Sequence, residues 1–259
     1  MPLPLPSGRC KRLASADQGK EGTRPISVTK DKLIAHAREH GLGHIAPSLS
    51  TVTVINYLFE KGLLPEDRFI LSKGHGCYAL WVHLAEKNEA FRMKYLAGTL
   101  PGCIERFDDL IPFSTGSLGH GLPLAVGVAF AMKLQHKPGT VFCLCGDGEM
   151  QEGSNWEALT FAVTGKLSNL CLIIDGNSLQ AMTKTEKIDR QGLTGKLTGF
   201  GLWTLLIDGH NKAALADAFS LEGPNRPKAI FLRTVKGYGV EEMEGKAKWH
   251  YRTLPKKGQ

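Results

Sequence analysis

Two polar residues, thirty positions apart, each follow an apolar stretch of the chain. Asp147 lies in Gly146-Asp147-Gly148 directly after Val141–Cys145, and Asn177 follows the apolar run Leu170–Asp175. A carboxylate and an amide oxygen are hard ligands of the kind that Mg²⁺ prefers. With a backbone carbonyl they would fill half of an octahedral shell, and phosphate oxygens and a water would suit the other positions. The spacing therefore predicts a magnesium site that holds a phosphorylated ligand.

The two glycines beside Asp147 favour the same interpretation. Gly146 and Gly148 lack a Cβ, so backbone N–H groups there can approach a phosphate closely. Asp-Gly turns are also common at strand ends without any such function, and this triplet alone is weak evidence. The second polar residue, Asn177, after a second predicted strand, favours the metal site over a plain turn.

The elements that must position these residues alternate along the chain. Apolar runs predict strands at Arg68–Ser72, Val141–Cys145, Leu170–Asp175, Thr204–Asp208 and Ala229–Thr234. Helical patterns predict helices at Ser27–His40, from a cap at Ser50 or Thr51 through Glu60, and at Leu122–Gln135, Ser154–Gly165 and Lys212–Ser220. This alternation indicates an α/β fold with a doubly wound, mostly parallel sheet and helices on both faces. In such sheets ligands bind beyond the carboxyl ends of the strands.

Length and composition are typical of a globular protein. The chain has 259 residues, of which 42% are hydrophobic and 22% charged, enough for one large core. Residues 1–25 are rich in Pro, Gly, Ser and basic residues and have no periodicity, which predicts a mobile tail before one domain over residues 26–259. The longest apolar run, residues 122–132, is too short for a bilayer, and the N-terminus has no apolar signal core. We therefore expect neither membrane association nor secretion.

Charge and cysteine content narrow the classes of partner. The net charge is +7, but no basic run is interleaved with aromatic residues, so an anionic substrate or acidic partner is favoured over nucleic acid. The six cysteines form no Cys-x-x-Cys pair. We therefore expect reduced thiols and a cytoplasmic location, and we do not expect a zinc site.

Five segments together resemble the motifs of the transketolase family, in the same order along the chain. GDG followed by the Asn-containing DGNSLQ is similar to that family's thiamine diphosphate motif. The other segments are GHIAPSLS at 43–50, SKGHG at 72–76, STGSLGHG at 114–121 and KWH at 248–250. The resemblance covers about residues 26–254 and implies the diphosphate-binding domain of a thiamine-diphosphate-dependent enzyme.

The resemblance also implies roles for individual residues. The magnesium ligands would be Asp147, Asn177 and the carbonyl of Leu179. Cofactor contacts would come from His75, Gly116, Leu118, Gly146, Gly148, Asn177 and His250, with Gly116 and Leu118 flanking the aminopyrimidine. His44, His75 and His250 would manage protons in the substrate channel, and Glu152 would link two cofactors across a dimer.

Alternatives remain for several of these residues. Leu118 alone would be a plain core residue, and Glu152 is equally suited to start a helix at Ser154. A lone His in a Gly-rich loop is more often polar surface than a catalytic group. His210, in Asp-Gly-His-Asn after a predicted strand, is interpreted as structural.

Family members of ordinary length continue with a pyrimidine-binding domain, which carries the Glu that activates the cofactor. This chain stops at Gln259. The resemblance thus implies the N-terminal subunit of a split transketolase, active only in an α2β2 heterotetramer with a C-terminal, pyrimidine-binding subunit. Together they would transfer a two-carbon ketol unit from a ketose donor to an aldehyde-type acceptor. Exposed apolar surface is expected at the sheet edge that the partner covers.

One departure from the family pattern concerns Cys103. It stands in Pro101-Gly102-Cys103, where the family usually has a His that binds a hydroxyl of the donor, and a thiol is a poor hydrogen-bond partner. The donor and acceptor therefore stay open. The alternatives are a 1-deoxyxylulose-phosphate-synthase-like condensation, glycolyl or acyl transfer to a lipoyl or carrier-protein acceptor, and a non-catalytic regulatory subunit.

Overall fold

The computed structural model describes residues 30–106, 111–181 and 183–254. Within these residues one parallel sheet has the order β1-β2-β3-β5-β4. Its strands are β1 (Arg68–Leu71), β2 (Val141–Gly146), β3 (Leu170–Gly176), β4 (Trp203–Asp208) and β5 (Lys228–Arg233). The predicted fold class is confirmed, and each strand lies within one residue of its predicted bounds. The predicted tail, residues 1–25, lies outside the described residues, and the domain boundary at residue 26 stays a prediction.

The strands carry apolar residues on both sides because each side of the sheet faces a separate core. Along β2, Phe142 and Leu144 belong to one core, whereas Val141, Cys143 and Cys145 belong to the other. Successive side chains of a strand point to opposite faces, so near-continuous apolar runs are what a sheet covered on both sides requires.

Helices cover both faces. The described helices are α1 (Lys30–His40), α2 (Ile45–Tyr57), α3 (Tyr78–Lys87), α4 (Glu89–Leu96), α5 (Gly121–Leu134), α6 (Gly153–Thr164), α7 (Leu193–Gly199) and α8 (Lys212–Ser220). Buried residues of α1 to α4 and α8 belong to the first core, and those of α5 to α7 belong to the second. Over the described ranges, no helix combines the length and the apolar character needed to cross a bilayer.

The predicted start of the second helix is wrong. Helix α2 begins at Ile45, and Ser50 and Thr51 are buried within it instead of capping it. The Ser50 hydroxyl donates to a carboxylate on β3, Oδ2 of Asp175, 2.7 Å away. A polar residue inside an apolar stretch suggested the end of a helix. Here the hydroxyl group lies within the helix, and a hydrogen bond to another element of the fold satisfies it. The helix continues into a π-helical turn at Leu58–Gly62.

Helices α3, α4 and α7 were not predicted. Helix α3 is buried along most of its length, and no side-chain cap at Cys77 marks its start. Helix α4 does carry a signal, since the side chain of Asn88 accepts hydrogen bonds from the N–H groups of Ala90 and Phe91 as an N-cap. The helices α5, α6 and α8 lie within one residue of their predicted bounds.

The register of the sheet brings the carboxyl ends of four strands to one edge. Leu71 of β1 pairs with Leu144, and Gly146 of β2 pairs with Asp175. Gly176 of β3 in turn pairs with Arg233 of β5. The loops after β1, β2, β3 and β5 therefore leave the sheet side by side.

Candidate active site

A cavity of about 560 Å³ lies at this edge of the sheet. Every site residue that the sequence predicts lines it: His44, His75, Gly116, Leu118, Gly146, Asp147, Gly148, Glu152, Asn177, Leu179 and His250. These residues come from six separate segments of the chain, so their convergence is a property of the fold. Their individual roles stay predictions.

Asp147 is a buried carboxylate at the end of β2. Its Oδ1 accepts a hydrogen bond from the N–H of Gly148 at 2.8 Å, and its Oδ2 accepts one from the N–H of Ser178 at 2.7 Å. Burial, together with the nearby carboxylate of Asp175, raises the pKa of Asp147 to about 7, although the two backbone donors oppose this shift. The charge of Lys73 also opposes the shift, but burial outweighs it. The carboxylate oxygens retain lone pairs for a metal cation.

Hydrogen bonding fixes the amide of Asn177. Its Nδ2 donates to Oδ2 of Asp175 at 2.9 Å, and a carboxylate can only accept, so the amide nitrogen must be the group on that side. The oxygen Oδ1 is thereby placed on the opposite side of the amide, where it accepts from the N–H of Leu179 at 3.0 Å. One lone pair of Oδ1 is left for a further partner.

The backbone after Asn177 completes the oxygen donors. Ser178 has a left-handed conformation with φ 61°, which non-glycine residues seldom adopt. Within the described ranges, the carbonyl of Leu179 accepts no hydrogen bond. The described residues contain no group of three or more His, Cys, Asp or Glu side chains that could hold a metal. A carboxylate, an amide and a carbonyl oxygen do fit Mg²⁺, which takes such ligands together with water and phosphate.

Three histidines form one cluster in the cavity. Their ring centroids are 5.9 Å apart for His44 and His75, 5.6 Å for His44 and His250, and 5.1 Å for His75 and His250. Tyr251 lies 4.9 Å from His44 and 4.6 Å from His250. Burial lowers the pKa of all three imidazoles, that of His250 to about 3. The cluster is therefore neutral near pH 7.

Each histidine of the cluster has its own structural support. His44 precedes α2 in a left-handed conformation with φ 55°, and its Nδ1 is buried without a partner. His75 lies in the 3₁₀ turn Gly74–Gly76 after β1, and His250 ends the 3₁₀ turn Ala247–His250. All three residues line the cavity, so their rings are placed to contact a ligand there.

Two buried lysines, Lys73 and Lys236, also line the cavity and were missed by the sequence analysis. Lys73 forms an ion pair with Asp175 and donates to the carbonyl of Pro47 at 3.0 Å. Lys236 has its Nζ 2.6 Å from Nδ1 of His250. Lysines are rarely buried, so their residue type did not suggest a place in the site. The only signal in the sequence was their position, because both follow predicted strands of the sheet.

Asp175 is the fully buried centre of a polar network beneath the cavity. Its carboxylate accepts from Lys73, from Ser50 at 2.7 Å, from Asn177 at 2.9 Å and from the hydroxyl of Thr234. Burial opposes ionisation, but the charge of Lys73 and the donated hydrogen bonds outweigh it and lower the pKa of Asp175. The network joins α2 to the loops after β1, β3 and β5.

Glu149 is a second buried carboxylate that accepts hydrogen bonds from several segments, as Asp175 does. Its carboxylate accepts from the hydroxyl of Ser72 at 2.5 Å and from the N–H groups of Gly119 and Gly146 at 3.1 Å each. Burial raises the pKa of Glu149, and these donors oppose the shift. Glu149 thus ties the loop of Gly116 and Leu118 to the ends of β1 and β2.

Three residues had alternative interpretations in the sequence. Leu118 is 40% exposed in the cavity wall, so the alternative of a plain core residue is wrong. Glu152 lines the cavity and is also the residue before α6, with no capping hydrogen bond from its side chain. His210 accepts from the N–H of Val235 at 2.9 Å and stacks on Tyr238 at 3.6 Å, in agreement with a structural role.

Cys103 also lies in the cavity wall and is exposed. A Cβ on Gly116 would lie 3.3 Å from its Sγ, so the thiol is beside the loop predicted for the aminopyrimidine. Partial burial and the nearby Glu105 raise the pKa of Cys103, which keeps it a neutral thiol near pH 7. The five described cysteines are all free.

Gly74 holds the turn of His75 against the loop at residues 114–118. A Cβ there would lie 2.6 Å from the backbone oxygen of Thr115, so we expect Gly74→Ala to lower the free energy of unfolding by about 1–3 kcal/mol. The control is Gly127→Ala in the middle of α5, where a Cβ meets nothing within 4 Å. We expect the control to be neutral or to stabilise by up to about 1 kcal/mol in urea unfolding. Equal effects of the two substitutions would contradict the close packing at Gly74.

The chain is similar to known proteins over most of its length. The family model described as "Transketolase, thiamine diphosphate binding domain" matches residues 38–258. Transketolase-like protein 2 of Bos taurus is 37% identical over 234 residues, which cover 83% of this chain and 37% of that protein. The 6-deoxy-6-sulfo-D-fructose transketolase subunit SqwG of Clostridium sp. (strain MSTE9) is 36% identical over 228 residues, which cover 81% of this chain and 83% of that protein.

A solved structure shows the same relation in three dimensions. The transketolase of Campylobacter jejuni superposes with a TM-score of 0.76 at 25% identity, over 86% of this chain and 40% of that one. The chain thus spans less than half of the bovine and Campylobacter relatives and most of the length of SqwG. The family match and the similarity to these relatives show that this chain belongs to the transketolase family, and that its matched region is the family's thiamine diphosphate binding domain.

Proposed function

We propose that this chain is the N-terminal subunit of a two-component, transketolase-like enzyme that depends on thiamine diphosphate and Mg²⁺. With its partner it would transfer a two-carbon ketol unit from a ketose donor to an aldehyde-type acceptor. The observation that carries this proposal is the convergence of Asp147, Asn177 and the Leu179 carbonyl on one cavity with three neutral histidines. Such a set combines a site for a hard cation with neutral imidazoles that can donate and accept hydrogen bonds near pH 7.

The oxygen donors would hold the metal, and the charge of that metal would offset the carboxylates that line the cavity and allow an anionic ligand to bind. Asp147, Asn177 and Leu179 would bind Mg²⁺, while Gly146 and Gly148 leave space for a diphosphate beside them. The charge of Lys73 is balanced by Asp175, whereas Lys236 forms no ion pair with a carboxylate among the described residues. Lys236 therefore places a positive charge in the cavity wall without a direct ion pair, although the charges of Asp175 and Asp147 still act on it. When bound, thiamine diphosphate supplies the carbon nucleophile and the electron sink for carbon–carbon bond cleavage.

The histidines would orient the substrate and move its protons. Their imidazoles are neutral near pH 7, so each can donate at one ring nitrogen and accept at the other. His44 lines the cavity, where its ring would contact a hydroxyl group of a sugar. His75 and His250, within 5.1 Å of one another, would act on neighbouring oxygens of the same substrate.

Apolar surface beside the cavity supports a second subunit. Leu118, Ile188 and Tyr251 line the cavity and are 40%, 64% and 63% exposed. Exposed apolar groups around a ligand site are typical of a surface that another chain covers. The relative SqwG is named as a subunit and has a similar length to the matched region. We propose a pyrimidine-binding chain as the partner, an α2β2 assembly with Glu152 near its dimer contact, and the cytoplasm as location.

One observation favours a second candidate within the same cofactor chemistry. The neutral thiol of Cys103 lies in the cavity wall, where a donor hydroxyl would gain little from it. The second candidate therefore uses a donor other than an ordinary sugar phosphate, or transfers its unit to a carrier-bound acceptor. The experiment that tests the proposed function includes both possibilities. The name of SqwG makes a sulfonated ketose a natural member of the donor panel.

The proposal is tested by reconstitution. The tagged chain is purified with any co-purifying polypeptide and assayed alone and together with it, with phosphorylated and sulfonated ketoses as donors and the product identified by mass spectrometry. We expect transfer only with the second polypeptide, thiamine diphosphate and Mg²⁺ all present. Robust turnover by the chain alone would contradict the two-component assignment. Cofactor binding that does not depend on Mg²⁺ would contradict the metal site.

A further inference from the structure

The contact between Lys236 and His250 is the only hydrogen bond that either side chain makes within the described part of the chain. Lys236 follows β5 and is 2% exposed, and its Nζ lies 2.6 Å from Nδ1 of His250. Burial and the nearby charge of Lys73 lower the pKa of Lys236 to about 8. The lysine therefore still carries its proton near pH 7, so the group beside the imidazole is an ammonium ion.

An ammonium ion restricts the imidazole to one arrangement of protons. It has three donors and no acceptor, so Nδ1 of His250 must be the acceptor in this hydrogen bond. A neutral imidazole carries one proton, which must then lie on Nε2. A second proton on Nδ1 would place two donors face to face, and this excludes the charged form as well.

The groups around His250 reinforce its neutral state. His44, directly before α2, and His75, in the turn after β1, pack against the ring, and Tyr251 follows it in the chain. Lys236 and Lys73 are the charged groups nearby, and both disfavour a protonated ring. No carboxylate forms an ion pair with His250 among the described residues.

We propose that Lys236 is a positioning residue that holds His250 as the neutral Nε2–H tautomer. In this state the ring presents a hydrogen-bond donor to an oxygen atom of the bound substrate, since Nε2 has no partner in the described protein. The inference rests on the proposed function, because the tautomer matters only if His250 contacts a substrate. The proposal adds that His250 donates a hydrogen bond from Nε2 and does not accept one there.

The test reads the tautomer directly, by long-range ¹H–¹⁵N NMR of the ¹⁵N-labelled full chain between pH 5 and 7.5, with the His250 signals identified by their loss in His250→Gln. We expect the wild-type ring to be neutral and protonated only on Nε2 over this range. In Lys236→Met we expect a neutral population protonated on Nδ1 to appear, because the donor that requires Nδ1 to accept is gone. Lys236→Arg, which retains a donor, should preserve the wild-type pattern.

Lys248→Met is the matched control, because it removes the same charge from an exposed lysine two residues before His250. We expect it to leave the tautomer and pKa of His250 unchanged. A wild-type ring protonated on Nδ1 would overturn the proposal without any variant, so it stays testable even if Lys236→Met fails to fold. An unchanged His250 in folded Lys236→Met would also overturn it.

This measurement needs neither cofactor nor partner, so its failure is distinguishable from failure of the proposed function. In the reconstituted enzyme at saturating cofactor, Lys236→Met should lower kcat more than it changes KM for the donor, with partial recovery in Lys236→Arg. An effect on KM alone would overturn the positioning role. Loss of Mg²⁺-dependent cofactor binding by the wild-type chain would instead contradict the proposed function and leave the tautomer result readable.

Discussion

Replacing Asp147 with Ala is expected to weaken Mg²⁺-dependent binding of thiamine diphosphate by at least about 100-fold. Substitutions in the shell around metal ligands cost about 10–100-fold in metal affinity, and a direct ligand contributes more. The physical reason is the position of Asp147, whose buried carboxylate has backbone donors but forms no ion pair among the described residues. The change is measured by isothermal titration of the cofactor at fixed Mg²⁺, with the chain in its complex.

Asp208→Ala is the matched control for this prediction. Asp208 also ends a strand and accepts a hydrogen bond from a backbone N–H, that of His210 at 2.8 Å, but it does not line the cavity. Cofactor affinity should therefore stay within about twofold of wild type in this variant. Similar losses in both variants, or unchanged affinity in Asp147→Ala, would remove the metal assignment.

Replacing Lys73 with Met is expected to lower the free energy of unfolding by about 3–5 kcal/mol. The substitution keeps the length of the side chain but leaves the carboxylate of Asp175 buried without its counterion. Three neutral donors remain to Asp175, from Ser50, Thr234 and Asn177, and they replace only part of the lost interaction. Urea unfolding of the chain measures the effect.

Two further variants control this prediction. Lys184→Met breaks an exposed ion pair, Lys184 with Glu186 at 3.5 Å, and should cost less than about 1 kcal/mol. The double variant Lys73→Met/Asp175→Asn should lose less than the sum of its single variants, because the unpaired charge is gone. If Lys73→Met costs no more than Lys184→Met, the buried ion pair does not support the fold as described.

The sequence predicted the edge of the sheet well because strand ends have a local signature. Apolar runs broken by Gly and Asp located the ends of β2 and β3, and the parallel register then determined that Asp147 and Asn177 would meet. The same local logic failed for α2, where Ser50 has the residue type of a cap but bonds to a carboxylate 125 residues away. Local patterns cannot distinguish these two cases.

The buried cations were not predictable for the same reason. Whether a lysine is buried depends on its partner, and Lys73 is 102 residues from Asp175 in the chain. Lys236 and His250 are separated by a segment with no regular strand or helix apart from one 3₁₀ turn, so no periodicity linked them. Helix α3 was missed because no capping residue marks its start, which directly follows the 3₁₀ turn of His75.

The network around Asp175 has a consequence for how ligands bind. Four donors from separate segments converge on one carboxylate, so the floor of the cavity is assembled before any ligand arrives. Association then requires little loss of conformational entropy on that side, and affinity is limited mainly by desolvation and charge complementarity. The exposed apolar part of the cavity wall consists of Leu118, Ile188 and Tyr251. Adaptation to the partner and to the incoming sugar would occur there.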